Sequence, residues 1–112
     1  VADLVSMYAK MTEAVGETKE AATRAQAVVR AARDGFREAA ASAANMAAET
    51  RRILGGVPGS ADKVAAERRR ADRMCNLVAS LDAADAALTA TRAHLAESIA
   101  ALRVESEEVG RG

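Results

Sequence analysis

Gly55-Gly56-Val57-Pro58-Gly59-Ser60 divides the chain almost in half. Its chemistry reads as a stop, a turn and a start. Gly55 suits the position just past a helix C-terminus, where φ is positive. Pro58 cannot sit in a helix interior, and it restricts Val57 to extended backbone. Ser60 is a good N-cap for whatever follows. The expected organisation is a single helical hairpin over 1–112: helix 1 over about 2–54, a turn over 55–60 and helix 2 over about 61–108.

Outward from the turn, both halves carry helical periodicity. In the first half a 4-3 spacing runs through Leu4, Tyr8, Met11, Val15, Thr18, Ala22, Ala25, Val29, Ala32, Phe36, Ala39, Ala43, Met46, Thr50 and Ile53. Seven heptads without a phase break argue for a coiled-coil seam rather than a globular helix. A helix over these residues is roughly 80 Å long at 1.5 Å per residue. In the second half Leu81, Leu88, Leu95 and Leu102 recur every seven residues, extended by Met74 and Val109. The companion row is Val64, Ala71, Val78, Asp85, Arg92 and Ile99, which is less regular because two members are charged.

Folding one half back on the other sets Leu81 against Ala32, Leu88 against Ala25, Leu95 against Thr18 and Leu102 against Met11. One residue further along, Phe36 meets Val78, Val15 meets Ile99 and Ala43 meets Ala71. Large opposite small fills a narrow seam without voids. In this register Asp85 is expected to turn outward and pair with Arg30 or Arg92. The alternative architecture is a three-helix bundle with a break near Gly35, since an interior glycine costs about 1 kcal/mol relative to Ala. The heptad phase runs unchanged through both Gly16 and Gly35.

Composition agrees with an all-α fold. Half the residues are hydrophobic, yet aromatics are 2% and Ala dominates. Small side chains suit a long, close helix–helix seam better than a deep globular core. No alternating run reads as a strand. No stretch of about 18 apolar residues is present, so no membrane span is expected. The single cysteine, Cys75, cannot be part of a disulfide framework and favours an intracellular location. The chain reads as a fragment of a longer protein, without a signal peptide at its start.

The sequence offers little chemistry. His94 stands near Arg92 and Glu97 with no second ligand at metal spacing, and reads as solvated surface. Cys75 lies beside Met74 and reads as a buried or half-buried thiol. It has no partner in a nucleophile pattern. The glycine-rich turn lacks the Gly-Lys-Ser/Thr ending of a phosphate loop. Tyr8 and Phe36 fall on the seam, which leaves no aromatic platform for stacking bases, and a formal net charge of zero gives no global field for nucleic acid. No enzyme, cofactor or metal is implied.

Charge placement is the most informative feature. Between residues 49 and 73 stand seven bases, Arg51, Arg52, Lys63, Arg68, Arg69, Arg70 and Arg73, against four acids. Residues 1–20 and 95–112 together carry eight acids against four bases. The neutral total therefore conceals a basic turn end and an acidic open end. The bland account of the basic residues is a solvated face with ion pairs such as Asp72 with Arg68, or Glu49 with Lys63 across the turn. The functional account is a contact patch for an acidic partner, such as the tubulin lattice, a phosphate backbone or an anionic headgroup, weakening as salt rises. Beside the first seam, Met7, Ala14, Ala21, Val28 and Gly35 form a second stripe of mostly small residues. Through Ala14, Ala21 and Val28 it reads as the interface of a homodimer.

A long Ala-rich hairpin with basic residues at one end resembles the coiled-coil part of the microtubule-binding region of an unconventional kinetoplastid kinetochore protein. That resemblance implies binding to microtubules, and here only Arg51, Arg52, Lys63, Arg68, Arg69, Arg70 and Arg73 could carry it. The chain is also similar in composition and helix length to the elongated helical surface proteins of trypanosomes, although those usually carry paired cysteines. It is similar in outline to the secreted helical hairpins of the bacterial type VII system, but lacks their Trp-x-Gly turn. The sequence alone thus points to a long antiparallel coiled-coil hairpin acting as a structural or interaction module. An extracellular helical surface protein, or a secreted hairpin, is the alternative.

Overall fold

Ala, Leu, Glu and Arg are strong helix formers, and they dominate both halves. The computed structural model describes residues 2–112 and is all-α. Helix α1 covers Ala2–Leu54 and α2 covers Ala61–Arg111. Helix α2 runs three residues past the expected end near 108. Helix α1 passes through Gly16 and Gly35 unbroken, so the three-helix alternative does not form. Five Thr and Ser side chains among the described residues turn their hydroxyls onto the carbonyl one turn back: Thr12 to Tyr8, Thr18 to Ala14, Thr23 to Lys19, Thr89 to Asp85 and Ser98 to His94. The helix thereby satisfies the polar groups that would otherwise compete with it.

The turn works differently from the expectation. Gly55 does not take the left-handed conformation. Gly59 does, with φ of +84°, and is the one positive-φ position among the described residues. Gly55 is required for another reason: a Cβ there would run into the Arg51 carbonyl oxygen. The Val57 amide donates to the Leu54 carbonyl at 2.9 Å, closing a tight turn at the end of α1. Ser60 occupies the N-cap position, since its carbonyl accepts the Val64 amide at 3.1 Å. Its hydroxyl does not cap α2. It donates to the Leu54 carbonyl at 2.6 Å, adding a second donor to the one that Val57 supplies and tying the start of α2 to the end of α1.

The chain packs as two compact units: the segment up to Val28 with Asp85–Gly112, and Val29–Ala84. In each, α1 and α2 run antiparallel. The rows of α2 that face the seam are the expected ones, Met74/Leu81/Leu88/Leu95/Leu102/Val109 and Val64/Ala71/Val78/Asp85/Arg92/Ile99, all half-buried except Ala71, which is buried. On α1 the row through Tyr8, Val15, Ala22, Val29, Ala43 and Thr50 is also buried or half-buried, but Phe36, expected in the same row, is exposed.

The second row of α1 is for the most part not the expected one. Ala32 and Ala39 are half-buried, but Leu4, Met11, Thr18, Ala25, Met46 and Ile53 are exposed, and Ile53 keeps 60% of its surface. In their place the seam takes the row one position on: Val5, Thr12, Lys19, Gln26, Arg33, Ala40, Ala47 and Leu54. The apolar arc of α1 is wider than one neighbouring helix can cover. Helix α2 covers its more polar edge because that edge finds partners there. Met11, Thr18 and Ala25 therefore do not face Leu102, Leu95 and Leu88.

Gln26 shows this best. It is 1% exposed. Its amide nitrogen donates to Asp85 Oδ1 at 2.8 Å and Thr89 Oγ1 at 2.7 Å, and its Oε1 accepts from Arg92 Nη1 at 2.7 Å. Asp85 is half-buried and engaged by Gln26, rather than turned outward. This polar layer joins α1 to α2 within the first unit. In the second unit Asp82 of α2 holds Arg33 at 3.5 Å and Arg37 at 3.6 Å. These fixed polar pairings specify a register that Ala-rich surfaces alone leave open.

Candidate binding surface at the turn

The seven basic residues singled out from the sequence all belong to the Val29–Ala84 unit, and all are exposed. Arg51 and Arg52 end α1, where positive charge complements the helix dipole. Lys63 lies in the first turn of α2, where positive charge opposes the dipole. Arg52 is neutralised locally. Its guanidinium forks onto Glu49, with Nε 3.2 Å from Oε2 and Nη2 on Oε1. That contact holds the Glu49 carboxyl below its ordinary range and raises the Arg52 guanidinium.

The other six behave differently. Among the described residues, no ion pair or side-chain hydrogen bond involves Arg51, Lys63, Arg68, Arg69, Arg70 or Arg73. Neither Asp72 with Arg68 nor Glu49 with Lys63 forms a pair, and Glu49 is held by Arg52 instead.

The helical positions sort these cations onto two sides of the α1–α2 seam. On one side Arg51, Arg68 and Arg69 line a concave groove beside the turn, with Gly55, Ala61, Val64 and Ala65 as its small or apolar wall and Asp72 as its one acid. The hollow continues along Ala44, Ala47 and Ala48. On the other side Arg70 and Arg73 border a second groove, with Phe36, Met74 and Leu77. Lys63 and Arg52 line neither groove. The first groove can take an acidic surface, because three guanidiniums face it with no counter-ion of their own. The second combines apolar area with charge, and periodicity did not reveal it because Phe36 had been assigned to the seam.

His94 is exposed, 3.8 Å from Glu97 within one helix face. Cys75 is exposed rather than buried. One helical step beyond Met74 rotates it by about 100°, off the buried row and into solvent. Among the described residues no cluster of His, Cys, Asp and Glu could hold a metal, and no helix is long and apolar enough to cross a membrane. Ala14, Ala21 and Val28 are all exposed, with Val28 the one large side chain among them. No family model, curated protein or solved structure matches this chain.

Proposed function

We propose that this chain is a non-catalytic, intracellular interaction module, a helical hairpin whose turn binds an acidic protein surface. The observation that carries this is the convergence of Arg51, Arg68 and Arg69, none with an ionic partner, on one groove beside the turn. An arginine without a counter-ion can fork onto a partner carboxylate, gaining two parallel hydrogen bonds and charge neutralisation. Lys63 adds positive potential nearby at a place where helix stability would favour an acid. The microtubule lattice is the first acidic surface to test, because the resemblance to the kinetoplastid kinetochore region names it. Each contact at an exposed site is worth about 1 kcal/mol or less, so several must act together. Such binding falls steeply with ionic strength, as the Debye length shrinks from about 30 Å at 0.01 M salt to about 10 Å at 0.1 M. Co-sedimentation with microtubules should show the chain in the pellet at low salt and released at high salt. Absence from the pellet at low salt would overturn the microtubule assignment.

A further inference from the structure

The groove on the Arg70 side of the seam is a different kind of surface from the turn groove. Phe36 and Leu77 keep 38% and 46% of their surface along it, and Met46 keeps 59% in its continuation. Met74 lies between them, and Arg70 borders both stretches. Contiguous exposed apolar area of this kind, rimmed by charge, marks an interaction site. Glu67 adds a second observation. It lines the groove beside Met46, and its Oε2 is buried without a hydrogen-bond donor. A buried carboxylate oxygen without a donor is unfavourable, so the groove favours an occupant that brings a cation.

We propose that the occupant is a second copy of this chain, entering with the first turns of its α1. Leu4, Met7 and Met11 are exposed there at i, i+3 and i+7, the anchor spacing of a helix laid in a groove. Lys10 stands next to Met11 on that segment and brings a cation to the Glu67 carboxylate. The surrounding charges match. Residues 2–20 carry four acids and two bases, facing the rim of Arg70 and Arg73. The two units carry opposite net charge: Val29–Ala84 has ten bases against seven acids, and the remainder of the chain has six bases against nine acids. Like units repel and unlike units attract, so the acidic unit of one copy docks on the basic unit of the other. This contact uses neither Arg51, Arg68 nor Arg69, so it stands or falls independently of the acidic-surface reading.

Sedimentation equilibrium on the intact chain at low salt tests it. The wild type should reach an apparent mass above that of the 11.6 kDa monomer as concentration rises. Leu77→Asp spoils the groove and Met7→Asp spoils the inserted edge. Both positions are exposed, and far-UV circular dichroism should show unchanged helix. Each variant alone should associate at least about tenfold more weakly, as expected when a central apolar anchor is lost. Mixing the two variants should restore association, because each retains the half that the other lacks. A wild type that stays monomeric at every concentration would overturn the proposal. So would variants that associate like wild type, or a mixture that stays as dissociated as its components, since that result indicates a different interface.

Discussion

Replacing Gln26 by Ala should destabilise the hairpin far more than replacing any of its exposed neighbours. The side chain is 1% exposed and makes three cross-helix side-chain hydrogen bonds of 2.7–2.8 Å, two of them to ionised groups. A hydrogen bond to a charged group contributes roughly 1.5–3 kcal/mol, and a neutral one about 1 kcal/mol. The full sum is an upper limit, because Asp85 and Arg92 are only half-buried and water can reach them after truncation. Arg92 has less to lose to solvent on one side, as its Nε is already buried without a partner. The net loss is about 3 kcal/mol, which for a domain of about 100 residues lowers Tm by more than about 10 °C. Urea denaturation followed at the helical dichroism band measures it directly. Replacing Gln26, Asp85 and Arg92 together by Leu should recover most of that loss, since a packed apolar layer does not suffer from unpaired charge. A Gln26→Ala change below about 0.5 kcal/mol, the usual range for surface substitutions, would refute the claim that this layer ties the helices together.

The rotated seam makes a sharp comparison: Leu54→Ala should cost about 1–2 kcal/mol by the area it uncovers, while Ile53→Ala next to it should stay within about 0.5 kcal/mol in the same denaturation assay. Gly59→Ala forces a Cβ into a left-handed position and should lower stability by about 1–2 kcal/mol, whereas Gly56→Ala, where a Cβ meets open space, should be nearly neutral. Ser60→Ala removes the hydroxyl that closes on the Leu54 carbonyl and should cost about 1 kcal/mol, read as a fall in Tm. Arg52→Gln should return the Glu49 carboxyl toward its ordinary pKa, followed by NMR titration of its side chain. Because the folded pKa is depressed, the pair's small contribution is present above the unfolded pKa and fades as pH falls through the folded one.

Much of this fold was legible in the sequence because heptad spacing and glycine–proline punctuation are local signals. The leucine row of α2 was readable outright, since one row stood out from polar surroundings. Helix α1 was ambiguous for a physical reason: the rows through Met7, Leu4 and Tyr8 are all apolar or small, and periodicity gives no sign that the partner covers the Tyr8 row together with the more polar row beyond it. The polar edge carrying Gln26 and Arg33 won because α2 presents Asp85, Thr89, Arg92 and Asp82 to it. Such complementarity involves residues more than 45 positions apart and leaves no trace in either helix's periodicity. The basic residues at the turn were visible as a cluster. Their division between two grooves was not, because it depends on where the seam lies.

The most direct test of the turn's role compares matched charge reversals in microtubule co-sedimentation at low salt. One variant changes Arg51 and Arg68 to Glu; the other changes Arg103 and Arg111 to Glu, shifting net charge equally in the acidic unit. The first variant should lose binding and the second should keep most of it. Equal loss in both would mean that net charge, and not the groove beside the turn, governs the interaction, and would contradict the central claim.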